Sequence, residues 1–423
     1  MRKILIIVEN LPVPFDRRVW SEATALRRAG YEVSVICPTG RDAQARHEVI
    51  EGVHIYRHPL PVEGHGALGY LAEYSAALFW EFRLAFRVLR ERGFDAIHAC
   101  NPPDLIFLVG GFFKLFGKKF VFDHHDINPE LYEAKFGRRD WGWRLMLLCE
   151  RLTFRTADVS IATNGSYREI AITRGGMDPE RVHVVRSGPS LARIREMPPD
   201  PHWRKGRDFL VGYVGVIGQQ EGIDLLLDAA RHVVVERGRT DVQFVIVGGG
   251  PALAEMERTC AEMGLSDYVT FTGRVTDEVL FRVLSTADVC VNPDRPNAMN
   301  DKSTMNKIME YMALAKPIVQ FDLTEGRVSA GAASLYARNT EPADFGDKIL
   351  DLLADPDRRA EMGAFGRRRV REELAWTYEE PKLLAAYAQL FADEEGAAQP
   401  AFAEAYSPAR PGRALPRGGD GPR

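Results

Sequence analysis

Residues 210–222 read Leu-Val-Gly212-Tyr-Val-Gly215-Val-Ile-Gly218-Gln-Gln-Glu221-Gly222, and an amphipathic pattern follows over 223–236. An apolar run at 210–214, a glycine-rich turn and a helix make one βα unit of a parallel sheet. Glycines at such a turn let backbone N–H groups approach an anion at the helix N-terminus. They equally serve a tight turn that binds nothing. Their spacing is not G-x-G-x-x-G, which argues against a nicotinamide oxidoreductase. The next turn, Val247-Gly248-Gly249-Gly250-Pro251, fails the same fingerprint because position 253 is Leu.

Working outward, short β-branched runs alternate with helical patterns along the chain. Strands are expected at 4–8, 32–37, 54–58, 96–99, 119–123 and 159–162, then at 210–214, 243–247, 269–272, 289–292 and 317–321. The same architecture occurs twice, and Thr156-Ala-Asp-Val159 and Thr286-Ala-Asp-Val289 echo one another. Three prolines in Glu196-Met-Pro-Pro-Asp-Pro-His-Trp203 mark the connector. The expected organisation is an α/β chain of two doubly wound Rossmann-like domains, 1–190 and 209–375, facing a cleft across a linker at 191–208. A helix at 376–396 would return toward the first domain, and 397–423, rich in Pro, Gly, Ala and Arg, reads as disordered.

Composition agrees. The 423 residues are 45% hydrophobic and 27% charged, with a net charge of -4, enough for two or three domains with sizeable cores. The balance of 55 Lys+Arg against 59 Asp+Glu argues against a nucleic-acid-coating protein. Five scattered cysteines without a C-x-x-C pair form neither a disulfide framework nor a zinc site and suit a reducing compartment. The first apolar run is too short for a signal peptide and no stretch suits a membrane span, so a cytoplasmic location is expected.

The most informative segment runs from Asn300 to Gln320: Asn-Asp-Lys302-Ser-Thr-Met-Asn306-Lys-Ile-Met-Glu310-Tyr-Met-Ala-Leu-Ala-Lys-Pro-Ile-Val-Gln. Ser303 or Thr304 is expected to cap a helix running to about Ala315, with Pro317 ending it. Met305, Ile308, Met309 and Met312 form its core face. Lys302, Asn306 and Glu310 share another, which is ordinary amphipathy unless the helix points into the cleft. There, amide groups, Lys302 and Lys307 can hold a diphosphate and Glu310 can accept from ribose hydroxyls.

At this segment the chain resembles the retaining GT-B glycosyltransferases of family 4, especially the bacterial branch that builds O-antigen, capsule and exopolysaccharide. The resemblance spans about residues 1–392. It is carried by Asn10-Leu-Pro-Val-Pro-Phe-Asp16-Arg17-Arg18-Val-Trp20, Ile97-His98-Ala-Cys-Asn101-Pro-Pro-Asp104, Phe122-Asp-His-His125-Asp126-Ile-Asn-Pro-Glu130, Val185-Arg-Ser-Gly188-Pro and Glu310-Tyr-Met-Ala-Leu-Ala-Lys-Pro. It implies transfer of a hexose or N-acetylhexosamine from a nucleotide diphosphate sugar, UDP-linked by expectation, with retained configuration, no metal and no other cofactor. By the same resemblance Glu310 meets the donor ribose, Arg274 and Val275 face the base, and His125, beside Asp126, faces the transferred sugar.

Two departures stand out. The first glutamate of the family's Glu-x7-Glu pattern is replaced by Lys302, and the usual Arg and Lys after the first strand of the second domain are replaced around Val216 and Glu221. Lys302 and Lys307 taking over diphosphate neutralisation explains both, and a decayed donor site does as well. The expected donor wall is therefore Gly215, Val216, Gly218, Gln220, Glu221, Gly248, Arg274, Val275, Lys302, Ser303, Thr304, Asn306, Lys307 and Glu310, with His125, Asp126 and Lys302 at the chemistry. Positioned cations and helix-end amides can stabilise a departing diphosphate without a side-chain nucleophile.

Asp16, Arg17 and Arg18, together with His98 and Asn101, are candidates for the acceptor, since paired arginines suit a phosphate or carboxylate. Asp16 and an arginine simply capping the next helix is the equal alternative. Adjacent His124 and His125 would lie on opposite faces of a strand, giving one a core role. Asp355-Pro-Asp357 reads as a helix cap rather than a metal site. Helices at 69–92 and 138–155 mix aromatics with arginine, which suits peripheral contact with anionic lipid and equally suits packing on a sheet. The acceptor is expected to be lipid-linked or a polysaccharide. A catalytically silent sugar-nucleotide binder or assembly partner and a UDP-sugar 2-epimerase are the rivals.

Overall fold

The computed structural model describes residues 1–40, 43–59, 66–102, 104–338 and 340–392, with side chains from 75 onward in the helix that begins at Gly66. The tail expected at 397–423, and the end of the 376–396 helix, lie outside the described residues, as do the side chains of Tyr70 and Tyr74.

The first domain holds β1 (Lys3–Ile7), β2 (Glu32–Pro38), β3 (His47–Ile50), β4 (Val53–His58), β5 (Ala96–Cys100), β6 (Lys119–His124), β7 (Val159–Ala162) and β8 (Val182–Val184), in the order β3-β4-β2-β1-β5-β6-β7-β8. Every pairing is parallel except β3 with β4. The second domain holds β9 (Phe209–Val214), β10 (Val242–Val247), β11 (Val269–Phe271), β12 (Val289–Asn292), β13 (Ile318–Phe321) and β14 (Ser334–Ala337), all parallel, in the order β11-β10-β9-β12-β13-β14. Strand order reverses between β1 and β5 and between β9 and β12. Crevices at those switch points, outside the carboxyl ends of the strands, are where open α/β sheets bind ligands. The loops after β1, β6, β9 and β12 carry the segments singled out by sequence.

Both faces of each sheet are covered, so the central strands are buried runs such as Val-Gln-Phe-Val-Ile-Val in β10. On the first domain, helix Arg17–Arg28 and the C-terminal helix Trp376–Ala392 share one core, while Leu84, Val88, Val109, Phe113 and Phe154 fill the other. The C-terminal helix thus crosses back to the first domain. Leu383, Leu390 and Phe391 bury there at about 1.5–3 kcal/mol each. Gly188 permits the crossing: a Cβ would lie 2.6 Å from the Leu374 carbonyl oxygen.

The structure corrects two helices. The pattern at 223–236 is an α-helix only over Ile223–Arg231 and finishes as one π turn, His232–Glu236. The helix expected from a cap at Ser303 or Thr304 to about Ala315 runs over Asn306–Ala313, and a separate short helix, Ala298–Lys302, precedes it. Asn297 caps the first by accepting from the Met299 and Asn300 amides. Ser303 donates back to the Met299 carbonyl and Thr304 accepts from Asn164, so neither hydroxyl caps the second. Lys302 therefore ends the earlier helix instead of sharing a face with Asn306 and Glu310.

Candidate functional site

The wall formed by the first domain is built on β6. Asp123 and His125 are two residues apart and point the same way, and His125 Nε2 lies 2.5 Å from Asp123 Oδ2 and 2.9 Å from Arg18 Nε. Arg18 also grips both Asp123 oxygens, at 2.8 and 3.1 Å, and donates to the Val185 carbonyl. Beneath lie Glu22, 3.1 Å from Arg18 Nη2, and His98, whose Nδ1 is 2.8 Å from the Tyr387 hydroxyl. Burial pushes the Asp123 carboxyl up, but Arg18 and His125 outweigh it and hold it well below the carboxylate range. Burial raises Glu22 against the opposing pull of Arg18 and keeps His98 neutral. His125 is the histidine of the cluster with exposed surface, 16% of its side chain against none for His98. Its Nδ1 has no partner among the described residues.

Asn101 fixes the loop. Its Oδ1 accepts from the His125 and Asp126 amides (2.7 and 3.2 Å) and its Nδ2 donates to the Asp126 carbonyl and to Asp104 (2.6 and 2.8 Å). Of the residues expected at the acceptor, His98, Asn101 and Arg18 have buried side chains: Asn101 and Arg18 hold His125, and His98 meets Tyr387 and Asp123. Asp16 caps helix Arg17–Arg28 by accepting from the Val19 amide. Of that set, only Arg17 reaches into the cleft. His124 lies on the opposite face, ringed by Phe122, Phe154 and Tyr167, where burial and Arg174 push it down to about 3.

On the opposite wall, the glycine turns after β9 and β10 pack backbone to backbone. A Cβ on Gly248, at φ 140°, would fall 1.8 Å from the Gly215 oxygen, and one on Gly222, at φ 64°, 2.1 Å from the Pro293 oxygen. Ile217 donates to the Gly249 carbonyl at 3.0 Å. Val216 is exposed. The Glu221 carboxylate lies against Gly218, 2.7 Å from where a Cβ would be. Burial and Asp294 push that carboxyl up, while Lys307 and the Gly218 and Glu221 amides draw it down. Gln220 and Asn297 join side chains, and Asn300 donates to the Gln220 carbonyl, tying helix Ala298–Lys302 to the turn.

The two lysines expected to meet a diphosphate are engaged. Lys307 Nζ holds Asp294 at 3.0 and 3.2 Å and sits 4.8 Å over the Tyr213 ring. Lys302 Nζ contacts Glu130, which already holds Arg174. Asn306 is exposed. Glu310 meets two arginines from elsewhere: Arg17, which also donates to Asp277, and Arg193 of the linker, which donates to Asp277 and Glu310. Arg274, followed by the half-buried Val275, lies 4.3 Å over the Phe15 ring, again across the cleft.

Sequence reasoning missed most of the cross-cleft bonds. Asn164 donates to the Lys302 carbonyl and to Thr304, Tyr167 pairs with Ser303, and Ser166 donates to Glu325. Asn164 offered only the signal of a helix cap, which it also is, accepting from the Tyr167 amide. Two triads, His98–Cys100–Asp123 and Glu22–Asp123–His125, have ligand atoms close enough for a metal. Arg18 already sits on Asp123 in both, so a metal ion would have to displace a buried guanidinium.

Comparison with known proteins agrees with this two-part layout. Residues 16–188 match the family described as "Glycosyl transferase 4-like domain" and residues 208–355 the one described as "Glycosyl transferases group 1". Alpha-maltose-1-phosphate synthase of Mycolicibacterium smegmatis is 29% identical over 302 residues, 66% of this chain and 75% of that protein. Sucrose-phosphate synthase from Thermosynechococcus elongatus superposes with a TM-score of 0.74 at 20% identity, covering 93% of this chain and all of that one. Anabaena Alr3699/HepE, solved in complex with UDP and glucose, superposes at 0.69 and 15% identity over 92% of this chain and all of its own.

Proposed function

The chain belongs to the GT-B glycosyltransferases of family 4, and we propose that it moves a hexose or N-acetylhexosamine from a UDP-linked donor to a lipid-linked or polysaccharide acceptor, with retention and without a metal. One observation carries the reading. Arg17 and Arg18 are consecutive, yet one donates to Glu310 and the other to Asp123 and His125. The residues expected at the ribose end and at the sugar end of the donor are therefore held by neighbouring side chains at one point of the cleft. The Anabaena neighbour, with UDP and glucose bound, supports the choice of donor.

In this reading Glu310 accepts from the ribose hydroxyls, and Arg274–Val275 border the base. The departing diphosphate is stabilised by positioned cations, and its oxygen takes the acceptor proton on the same face of the sugar. His125, held at Nε2 by Asp123, presents Nδ1 and its rigid backbone to the sugar. Glu221 in the glycine turn favours the second reading, a silent nucleotide-sugar binder. Incubating the purified protein with UDP-glucose, UDP-N-acetylglucosamine, GDP-mannose and ADP-glucose, with and without membrane lipid extract, separates the two. Release of nucleoside diphosphate with an α-anomeric product signal in proton NMR supports transfer. Donor binding without release supports the binder.

We place the acceptor at an anionic membrane surface. Phe79, Arg83, Phe86 and Arg90 are exposed at helical spacing on helix Gly66–Glu91, as are Trp141, Arg144, Leu145, Leu148, Arg151 and Arg155 on helix Trp141–Thr156. Apolar side chains between arginines, with no acid in either stripe, suit an interfacial position. No helix among the described residues is long and apolar enough to cross a membrane.

A further inference from the structure

A nucleoside diphosphate needs positive charge around its phosphates, and the glycine turn after β9 supplies none. Val216 is apolar, and Glu221 places its own carboxylate against Gly218. Lys307 is committed: its side chain is 12% exposed and Asp294 is 2% exposed, so drawing the ammonium away would strand a buried carboxylate. Lys302 is 37% exposed at its side chain, but it is anchored through its backbone carbonyl to Asn164 and rests its ammonium on Glu130 of the first domain, with no bond to Glu310 or Asp277.

Arg17 and Arg193 differ. Their side chains are 49% and 24% exposed, and both guanidinium groups rest on the same two carboxylates, Asp277 and Glu310. Resting on the reading of Glu310 as the ribose carboxylate, we infer that Arg17 and Arg193 are the cations that bind the donor diphosphate, parked on Glu310 and Asp277 until a nucleotide arrives. Ribose hydroxyls take Glu310 and loosen the arginines' hold on it. The α-phosphate hangs one carbon from that ribose, within the sweep of a flexible arginine, and a guanidinium fork matches two phosphate oxygens. Arg17 opens the first helix of one domain and Arg193 lies in the linker, so the donor phosphates would bridge the domains.

The rival is a simple latch, in which the arginines only block Glu310. The two are separated by titrating wild type, Arg17→Gln, Arg193→Gln and the double variant with UDP, UMP and uridine, and with the guanosine and adenosine series in parallel, at two salt concentrations. The inference expects each single variant to lose roughly ten- to hundredfold in diphosphate affinity. Nucleoside affinity should stay unchanged or rise, and the salt dependence of diphosphate binding should weaken. Diphosphate and nucleoside tightening together, or neither changing, overturns the arginine assignment and leaves the donor reading standing. Wild type that binds none of the nine compounds overturns both.

Discussion

Replacing Arg18 with Met tests the reading of the first wall most sharply. Arg18 is 7% exposed at its side chain and compensates two carboxylates with none exposed, Asp123 and Glu22. Met retains much of the volume and removes the charge. Breaking a buried ion pair from one side costs about 3–5 kcal/mol, because the partner's charge stays buried without compensation. For a domain of this size that is a fall in Tm of roughly 6–20 °C. The sign of the pH dependence follows. With Arg18 gone, only His125 and His98 still oppose burial at Asp123, so its folded carboxyl rises, and stability falls as pH rises between the unfolded value and that raised one. The deficit against wild type should be larger at about pH 8 than at about pH 5.5. Adding Asp123→Asn should recover part of the loss, since it removes the stranded charge. The assay is urea denaturation followed by tryptophan fluorescence at both pH values. A loss below about 1 kcal/mol that does not change with pH would refute the account of this cluster as a compensated buried charge network.

Three further outcomes follow from named contacts. Glu81 is 1% exposed with no partner among the described residues, and burial raises its carboxyl to about 8, so the folded state holds a proton there that the unfolded chain gives up. Stability from this group is present near pH 4.5 and lost as pH rises through 8; Glu81→Gln should raise Tm at about pH 8 and flatten the profile in thermal melts. Tyr387→Phe removes the hydroxyl on His98 Nδ1 and should cost about 1–3 kcal/mol in urea while leaving UDP affinity by calorimetry unchanged. Vesicles containing phosphatidylglycerol should sediment the protein at low salt, vesicles of phosphatidylcholine should not, and Trp141→Glu with Leu145→Glu should reduce that binding roughly tenfold or more.

The fold was legible where strands are central. The runs at 4–8, 119–123 and 243–247 lie in central strands buried on both faces, and each carries at least three consecutive apolar residues. The strands missed were β3, β8 and β14, and each is a sheet edge. Edge strands are short and half polar, as in His47-Glu-Val-Ile, where the exposure alternates. The break at 303–305 was less legible, because Ser303 and Thr304 look like caps until Asn164, from the other domain, takes Thr304. Glu310, His125 and Arg17 were singled out from the chain alone. Their partners were not, since Arg18 lies 105 residues from Asp123 and Arg17 lies 293 from Glu310. The burial of His98 and Asn101 was illegible for the same reason: proximity in a motif does not reveal which side chains the fold buries.

The central claim is that Glu310 is the donor ribose contact of a working glycosyltransferase. Calorimetric titration of UDP into wild type and Glu310→Gln, alongside nucleotide release from UDP-glucose by both, tests it most directly. The account predicts that wild type binds and releases UDP, and that Glu310→Gln loses roughly tenfold or more in affinity with a matching loss in kcat/KM. Equal affinity and turnover in the two proteins, or no nucleotide binding by wild type, would contradict it.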